Sequence, residues 1–207
     1  MTERDGPDVP DADEAPDLVL ELAASAFRMV KQSLKIDLDF APETLPLLDH
    51  HLASAREAAS SSDELKQLLA TSAGGYFGEV VRRHVPGARW HLEPGDFGAW
   101  RIELGHVFLH FNPIAMAMEA LESGEAEGWS GHLAVLPQDR GLLEQALSRM
   151  GDIDEGDYYR LAVRLEVIEQ VVAALEGAQV ARGEVQRRFG PDVYAAATGG
   201  PAPGPPS

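Results

Sequence analysis

Apolar positions recur along this chain first at helical spacing, then at strand spacing, then at helical spacing again. From Asp17, a good N-cap, Leu18, Leu20, Leu22, Ser25, Phe27, Met29, Val30 and Ile36 trace a mostly apolar helical pattern. Ile36, Leu38 and Phe40 then alternate with Asp37 and Asp39, which predicts a short half-buried strand or an extended lead-in. Pro42 marks the first turn of a second helix with Leu45, Leu48, Leu52 and Ala55 on one face. The run Ser60-Ser61-Ser62-Asp63 ends that helix and caps the next. In the third helix Ala73, Tyr76, Phe77, Val80, Val81 and His84 share one face, Glu79 and Arg83 sit on the other, and Pro86-Gly87 stops it.

The middle of the chain reads as strands. Segments 89–93, 99–104 and 106–111 are short and aromatic-rich, and Pro-Gly-Asp or Gly separates them, as in an antiparallel meander. Pro113 opens a helix through Met116, Ala117 and Leu121, which Ser123-Gly124 ends. A further strand is expected over 132–136, then a short helix over 142–150 with Leu143, Ala146, Leu147 and Met150 inward. Asp154 or Asp157 is expected to cap the longest helix, with Tyr158, Leu161, Leu165, Ile168, Val172 and Leu175 as its core stripe. A last helix is expected from Gly183 to Phe189, broken by Pro191.

These elements predict an α+β fold, with helices packed on a small antiparallel sheet and a C-terminal helical extension. The expected organisation is a disordered acidic tail over 1–16, an α+β domain over 17–150, the helical extension over 151–197 and a flexible Gly/Pro tail over 198–207. A chain of 207 residues is long enough to bury a core without staples. Cysteine is absent, which excludes disulfides, zinc-thiolate sites and thiol nucleophiles. With no signal core and no apolar run long enough to span a bilayer, the expected location is the cytoplasm. The few lysines beside many Arg, Ala, Gly and Pro residues suggest a GC-rich bacterial genome. The formal charge of −17 repels phosphate backbones and anionic lipid, so neither nucleic acid nor membrane is an expected partner.

The block Gly74-Gly75-Tyr76-Phe77-Gly78-Glu79-Val80-Val81-Arg82-Arg83-His84 concentrates small, aromatic and charged residues. It lacks the Lys-Ser/Thr of a phosphate loop and the Gly-x-Gly of a dinucleotide turn, so its glycines are read as close-packing positions. Glu79 beside Arg82 and Arg83 is the preferred acid if this block faces a cleft, and a surface or interdomain salt bridge is the plainer expectation. His106 and His110 are too far apart along a strand to share one metal ion. A set of His91, His106 and Glu103 lacks the spacing of known zinc motifs. Gly128-Trp129-Ser130-Gly131-His132 lacks the last glycine of a nucleophile elbow. The acidic run from Asp152 to Asp157 fails the calcium-loop pattern at its sixth and twelfth places.

No catalytic residue is therefore assigned; Glu79, His84, His91 and His106 remain candidates, and no metal or cofactor is expected. Tyr76, Glu79, Arg82, Arg83, Trp90 and Trp100 are the candidate binding residues. The leading expectation is a non-enzymatic interaction module, an adaptor, regulator or immunity-type inhibitor, whose field speeds encounter with a basic protein partner. The alternative is a small hydrolase or metal-assisted enzyme using Glu79 and the sheet histidines.

One stretch also resembles a known pattern. Leu38-Asp39-Phe40-Ala41-Pro42-Glu43-Thr44-Leu45-x-x-Leu48-Asp49, then Gly75-Tyr76-Phe77-Gly78-Glu79-x-x-Arg82-Arg83, Trp90, Asn112-Pro113 and Leu121-Glu122-Ser123-Gly124, is similar to a family of small uncharacterised bacterial proteins. These carry an acidic Ser-Pro-Glu-Ser-type helix start, a Gly-Tyr-x-Gly-Glu helix, a short sheet and an Asn/Asp-Pro helix start. The resemblance spans residues 36–124, and Ala41 departs from its serine. It implies a bacterial α+β domain and carries over no catalytic residue.

Overall fold

Tyr76, Phe77, Val80 and Val81 are completely buried, because the helix that carries them is surrounded by other elements. The structure, a computed structural model, describes residues 14–149, 151 and 153–199. The expected tails fall mostly outside these residues, as does Met150. The described residues form α1 (Asp17–Leu34), α2 (Leu45–Ala59), α3 (Asp63–His84), α4 (Pro113–Glu122), α5 (Arg140–Arg149), α6 (Glu155–Tyr158), α7 (Leu161–Arg182) and α8 (Pro191–Thr198). The strands are β1 (Ala88–His91), β2 (Arg101–Leu104), β3 (Leu109–Phe111) and β4 (Ala134–Val135). They form one antiparallel sheet in the order β1-β2-β3-β4, so the fold is α+β.

Helix α3 starts where Ser62 accepts a hydrogen bond from the Leu65 N–H, with Asp63 and Glu64 favoured by the helix dipole. Its three glycines face three different neighbours. A Cβ on Gly74 would lie 2.6 Å from the Ile114 Cα of α4, and one on Gly75 would lie 2.8 Å from the Leu22 Cβ of α1. One on Gly78 would enter the Trp90 ring. Only a bare backbone lets α1, α4 and β1 converge here. Helix α4 is capped by Asn112, whose Oδ1 accepts from the Ile114 and Ala115 N–H groups while Nδ2 donates to the carbonyls of Phe97 and Gly98.

Along the strands, Trp90, Ile102, Leu104, Leu109 and Phe111 alternate with Arg89, His91, Arg101, Glu103 and His110. The first set packs on the main core, which also takes Leu45, Leu48 and Leu52 from α2 and Leu161, Leu165, Ile168 and Leu175 from α7. The second set forms the outer face, where Tyr194 of α8 packs against Phe108.

Several elements differ from the sequence expectation. Of the two readings of residues 36–40 the strand does not form: α1 ends at Lys35 in the left-handed region, and Phe40 also has a positive φ of 63°. Phe40 holds that costly conformation because its ring stacks on Tyr76, meets Phe27 edge-on and lies 3.9 Å below the Arg83 guanidinium. The long C-terminal helix starts at Leu161; Asp154 caps only the short α6. The expected helix over 183–189 is absent, since Gly183 ends α7 at φ 73°. Pro191 opens α8 at its first turn, where a missing N–H costs nothing. Among the described residues no helix is long and apolar enough to cross a membrane.

Candidate functional site

Glu79 is fully buried, which differs from a surface pair. Arg82 donates to both carboxylate oxygens at 2.9 and 2.7 Å, and Arg83 donates Nε to Oε1 at 2.7 Å. Burial pushes the carboxyl up, but the two guanidinium groups outweigh it and hold the acid below its usual range. Glu79 is thus a clamped anion rather than a poised base. The surrounding rings are held as firmly: the Tyr76 and Thr44 hydroxyls lie 2.6 Å apart, and Tyr76 accepts from the Phe40 N–H at 2.9 Å.

The outer sheet face repeats this arrangement around Glu103, which is also buried. Arg89 reaches its Oε2 at 2.9 Å through Nη2, and Arg101 reaches Oε1 at 2.8 Å through Nε. His91 stands 4.0 Å from the same oxygen. Burial lowers the His91 pKa, and the Arg101 charge adds to that. Across β3, burial and Arg101 drive His110 down to about 4. Both imidazoles are neutral at neutral pH. Tyr194 closes this face by donating to the Leu104 carbonyl at 2.7 Å and accepting from the Leu109 N–H at 3.0 Å. Burial pushes its phenol up to about 12.

The other two candidate histidines dock on α7. His84 Nε2 lies 2.8 Å from Glu169, and His106 Nε2 lies 3.2 Å from Glu176, one heptad further along. The structure therefore brings Glu79, Arg82 and Arg83 together and brings His91 next to Glu103. It leaves Glu79, His84, His91 and His106 in four separate places. His106 is not beside His91, so that pair and Glu103 form no ligand set. Among the described residues no group of three or more His, Asp or Glu side chains could hold a metal ion. Of the candidate binding residues, Tyr76, Glu79 and Trp100 are interior; Arg82, Arg83 and Trp90 reach solvent. Trp100 spends its indole N–H on the Glu93 carbonyl.

Two further arrangements carry charge into the interior. Arg164 of α7 pairs with Glu119 of α4, both nearly fully buried. Glu119 also accepts the Gly131 N–H, and Arg164 donates to the Tyr158 hydroxyl. A Cβ on Gly131 would collide with the Glu119 carboxylate, which explains the glycine in a loop that resembled a nucleophile elbow. The second arrangement is a cavity of about 600 Å³ between α2, α6 and the start of α7. Asp49, His50, Ala53 and Arg56 of α2 line it, facing Asp154, Asp157 and Arg160. Asp49 accepts the N–H groups of Leu161 at 2.7 Å and Ala162 at 3.1 Å, and burial raises its pKa to about 6 despite those bonds.

The sequence did carry signals for some of these residues. Glu119 and Arg164 are charges set inside apolar helical runs, a pattern that marks a buried partner. Asp49 had no local signal, because the helix it caps begins 112 residues later.

No curated protein matches this chain, and no solved structure does. Residues 4–125 match the model of one protein family, a span that includes α1 to α4 and β1 to β3. That span contains the Glu79 clamp, the Glu103 cluster and Asp49, while Arg164, Tyr194 and the rest of α7 and α8 lie beyond it. The chain belongs to DUF6278, a family of unknown function.

Proposed function

We propose that this chain is a non-enzymatic protein–protein interaction module that works in the bacterial cytoplasm on a basic partner. The observation that carries this reading is the dispersal of the candidate acids and bases. Glu79, His84, His91 and His106 each meet a separate set of partners: Arg82 and Arg83 for Glu79, Glu169 for His84, Glu103 for His91 and Glu176 for His106. A hydrolase needs a base and an acid within reach of one reacting atom, and among the described residues these four make their polar contacts with separate partners. A stripe on the outer face of α7 suits a basic partner: Glu166, Glu169, Gln170, Ala173, Glu176 and Val180 are all exposed there. Val180 is 65% exposed, an apolar contact flanked by carboxylates. The formal charge of −17 adds long-range attraction.

The test is capture of partners by the tagged full chain from cells of its source organism, at low and high salt, beside a Glu166→Lys, Gln170→Lys variant. A dominant basic protein that is lost at high salt and lost with the variant supports the reading. Capture that ignores both salt and variant overturns it.

A further inference from the structure

The cavity beside α2 holds two charged side chains, Asp49 and Arg56, that make no salt bridge among the described residues. Asp49, Ala53 and Arg56 stand at i, i+4 and i+7, on one face of α2. Asp49 accepts only two backbone N–H groups, and among the described residues no cation lies within salt-bridge distance of it. Arg56 donates Nε to the Leu121 carbonyl at 2.7 Å and Nη2 to the Ala120 carbonyl at 3.3 Å, and no described carboxylate pairs with it. Seven residues of helix separate their Cα atoms by about 10 Å, and the residue between them is only an alanine. In the opposite wall, Arg160 pairs with Asp157 at 2.8 Å and acts on Asp49 only from beyond salt-bridge distance.

This distribution selects among ligands. A phosphate or other pure anion would meet Asp49 and Asp154, and the leading N–H groups of α7 are already taken by Asp49. A pure cation would meet Arg56 and Arg160. A molecule with both charges satisfies both ends. The cavity volume of about 600 Å³ lies in the range of small-molecule sites.

We propose that this cavity binds a small zwitterion of the amino-acid or dipeptide class, with its ammonium group at Asp49 and its carboxylate at Arg56. Ser123, at the end of α4, adds a hydroxyl to the lining. Ala53 is exposed toward the cavity, leaving room for the ligand's body. An ammonium beside Asp49 favours the ionised carboxylate, which burial otherwise holds up to about 6. Binding therefore releases protons near that pH and weakens under acid. The site goes beyond the interaction reading and does not depend on it.

The experiment is calorimetric titration of the full chain with 4-aminobutyrate, 6-aminohexanoate and glycylglycine, with butylamine and butyrate as single-charge controls. At pH 7.5 at least one zwitterion is expected to saturate with a Kd of about 1 mM or tighter, and the controls are expected to fail at tenfold higher concentration. At pH 5 the same zwitterion is expected to bind several-fold more weakly. Ala53→Leu fills the cavity from an exposed position; it is expected to abolish binding while leaving the thermal melt unchanged. Arg56→Gln is expected to abolish it too. The proposal is overturned if no zwitterion saturates, if butylamine or butyrate binds equally well, or if Ala53→Leu leaves binding intact.

Discussion

The carboxylate of Asp49, in α2, receives the leading N–H groups of α7 at Leu161, 112 residues further along the chain. A helix N-terminus normally draws its cap from the residue just before it, which here is Arg160, whose side chain makes no capping bond. Asp49 thus joins two segments distant in sequence through one side chain. Asp49→Ala is expected to lower stability by about 1–2 kcal/mol, as loss of a good cap does, measured by urea unfolding at pH 7.

The same residue has a pH signature. Its folded pKa of about 6 exceeds the ordinary carboxyl value of 3.8, so between those values the folded chain holds a proton that the unfolded chain releases. The pH-dependent part of its contribution, separate from the cap itself, is therefore fully present below about pH 4 and lost as pH rises through 6. Asp49→Asn is expected to remove this trend, so wild type minus variant should grow more favourable on going from pH 7 to pH 5. An unchanged difference would contradict the assignment.

His110 acts in the opposite direction. Its folded pKa of about 4 lies below the ordinary imidazole value of 6.5, so the unfolded chain takes up a proton that the folded chain refuses. Stability from this group is present above about pH 6.5 and declines as pH falls toward 4. His110→Gln is expected to flatten that acid limb in a series of urea midpoints. His91, shifted in the same direction by burial and Arg101, retains the remainder.

Arg164 and Glu119 are a buried pair spanning α4 and α7, with Arg164 Nε buried and without a partner. Removing either partner strands the other charge, so Glu119→Leu or Arg164→Met alone is expected to cost about 3–5 kcal/mol. The double variant Glu119→Leu, Arg164→Met is expected to be more stable than either single one, because no charge is left unpaired. Chemical denaturation of the four proteins in a double-mutant cycle reads the coupling.

Tyr194 carries α8 onto the sheet through a hydroxyl that serves both the Leu104 carbonyl and the Leu109 N–H. Tyr194→Phe keeps the stacked contact with Phe108 and leaves those two backbone groups without that partner. A loss of about 1–3 kcal/mol is expected, together with faster hydrogen exchange at the Leu109 amide.

Much of this fold was legible along the chain because it depends on local periodicity. The α3 face, the Pro113 helix start, the meander of short strands and the α7 stripe follow from which residues must leave water at a spacing of 3.6 or 2. Turn chemistry was less decisive. Gly183 and Pro191 each permit more than one reading, and the α7–α8 connection showed which element each one bounds. Phe40 gave no warning of its left-handed backbone, since that conformation is held by Tyr76, Phe27 and Arg83 rather than by its neighbours in sequence.

The candidate site divides along the same line. Sequence alone determined that Glu79, Arg82 and Arg83 meet, because i+3 and i+4 positions on a helix are neighbours whatever surrounds them. It also determined that cysteine chemistry is absent and that the chain is strongly acidic. Only the tertiary structure decided that Glu79 is buried, that His84 and His106 dock on α7 rather than converging with His91, and that Asp49 and Arg56 face a cavity closed by α7. Burial and the meeting of distant segments are properties of packing, and packing depends on which helix faces cover one another, which no local spacing encodes.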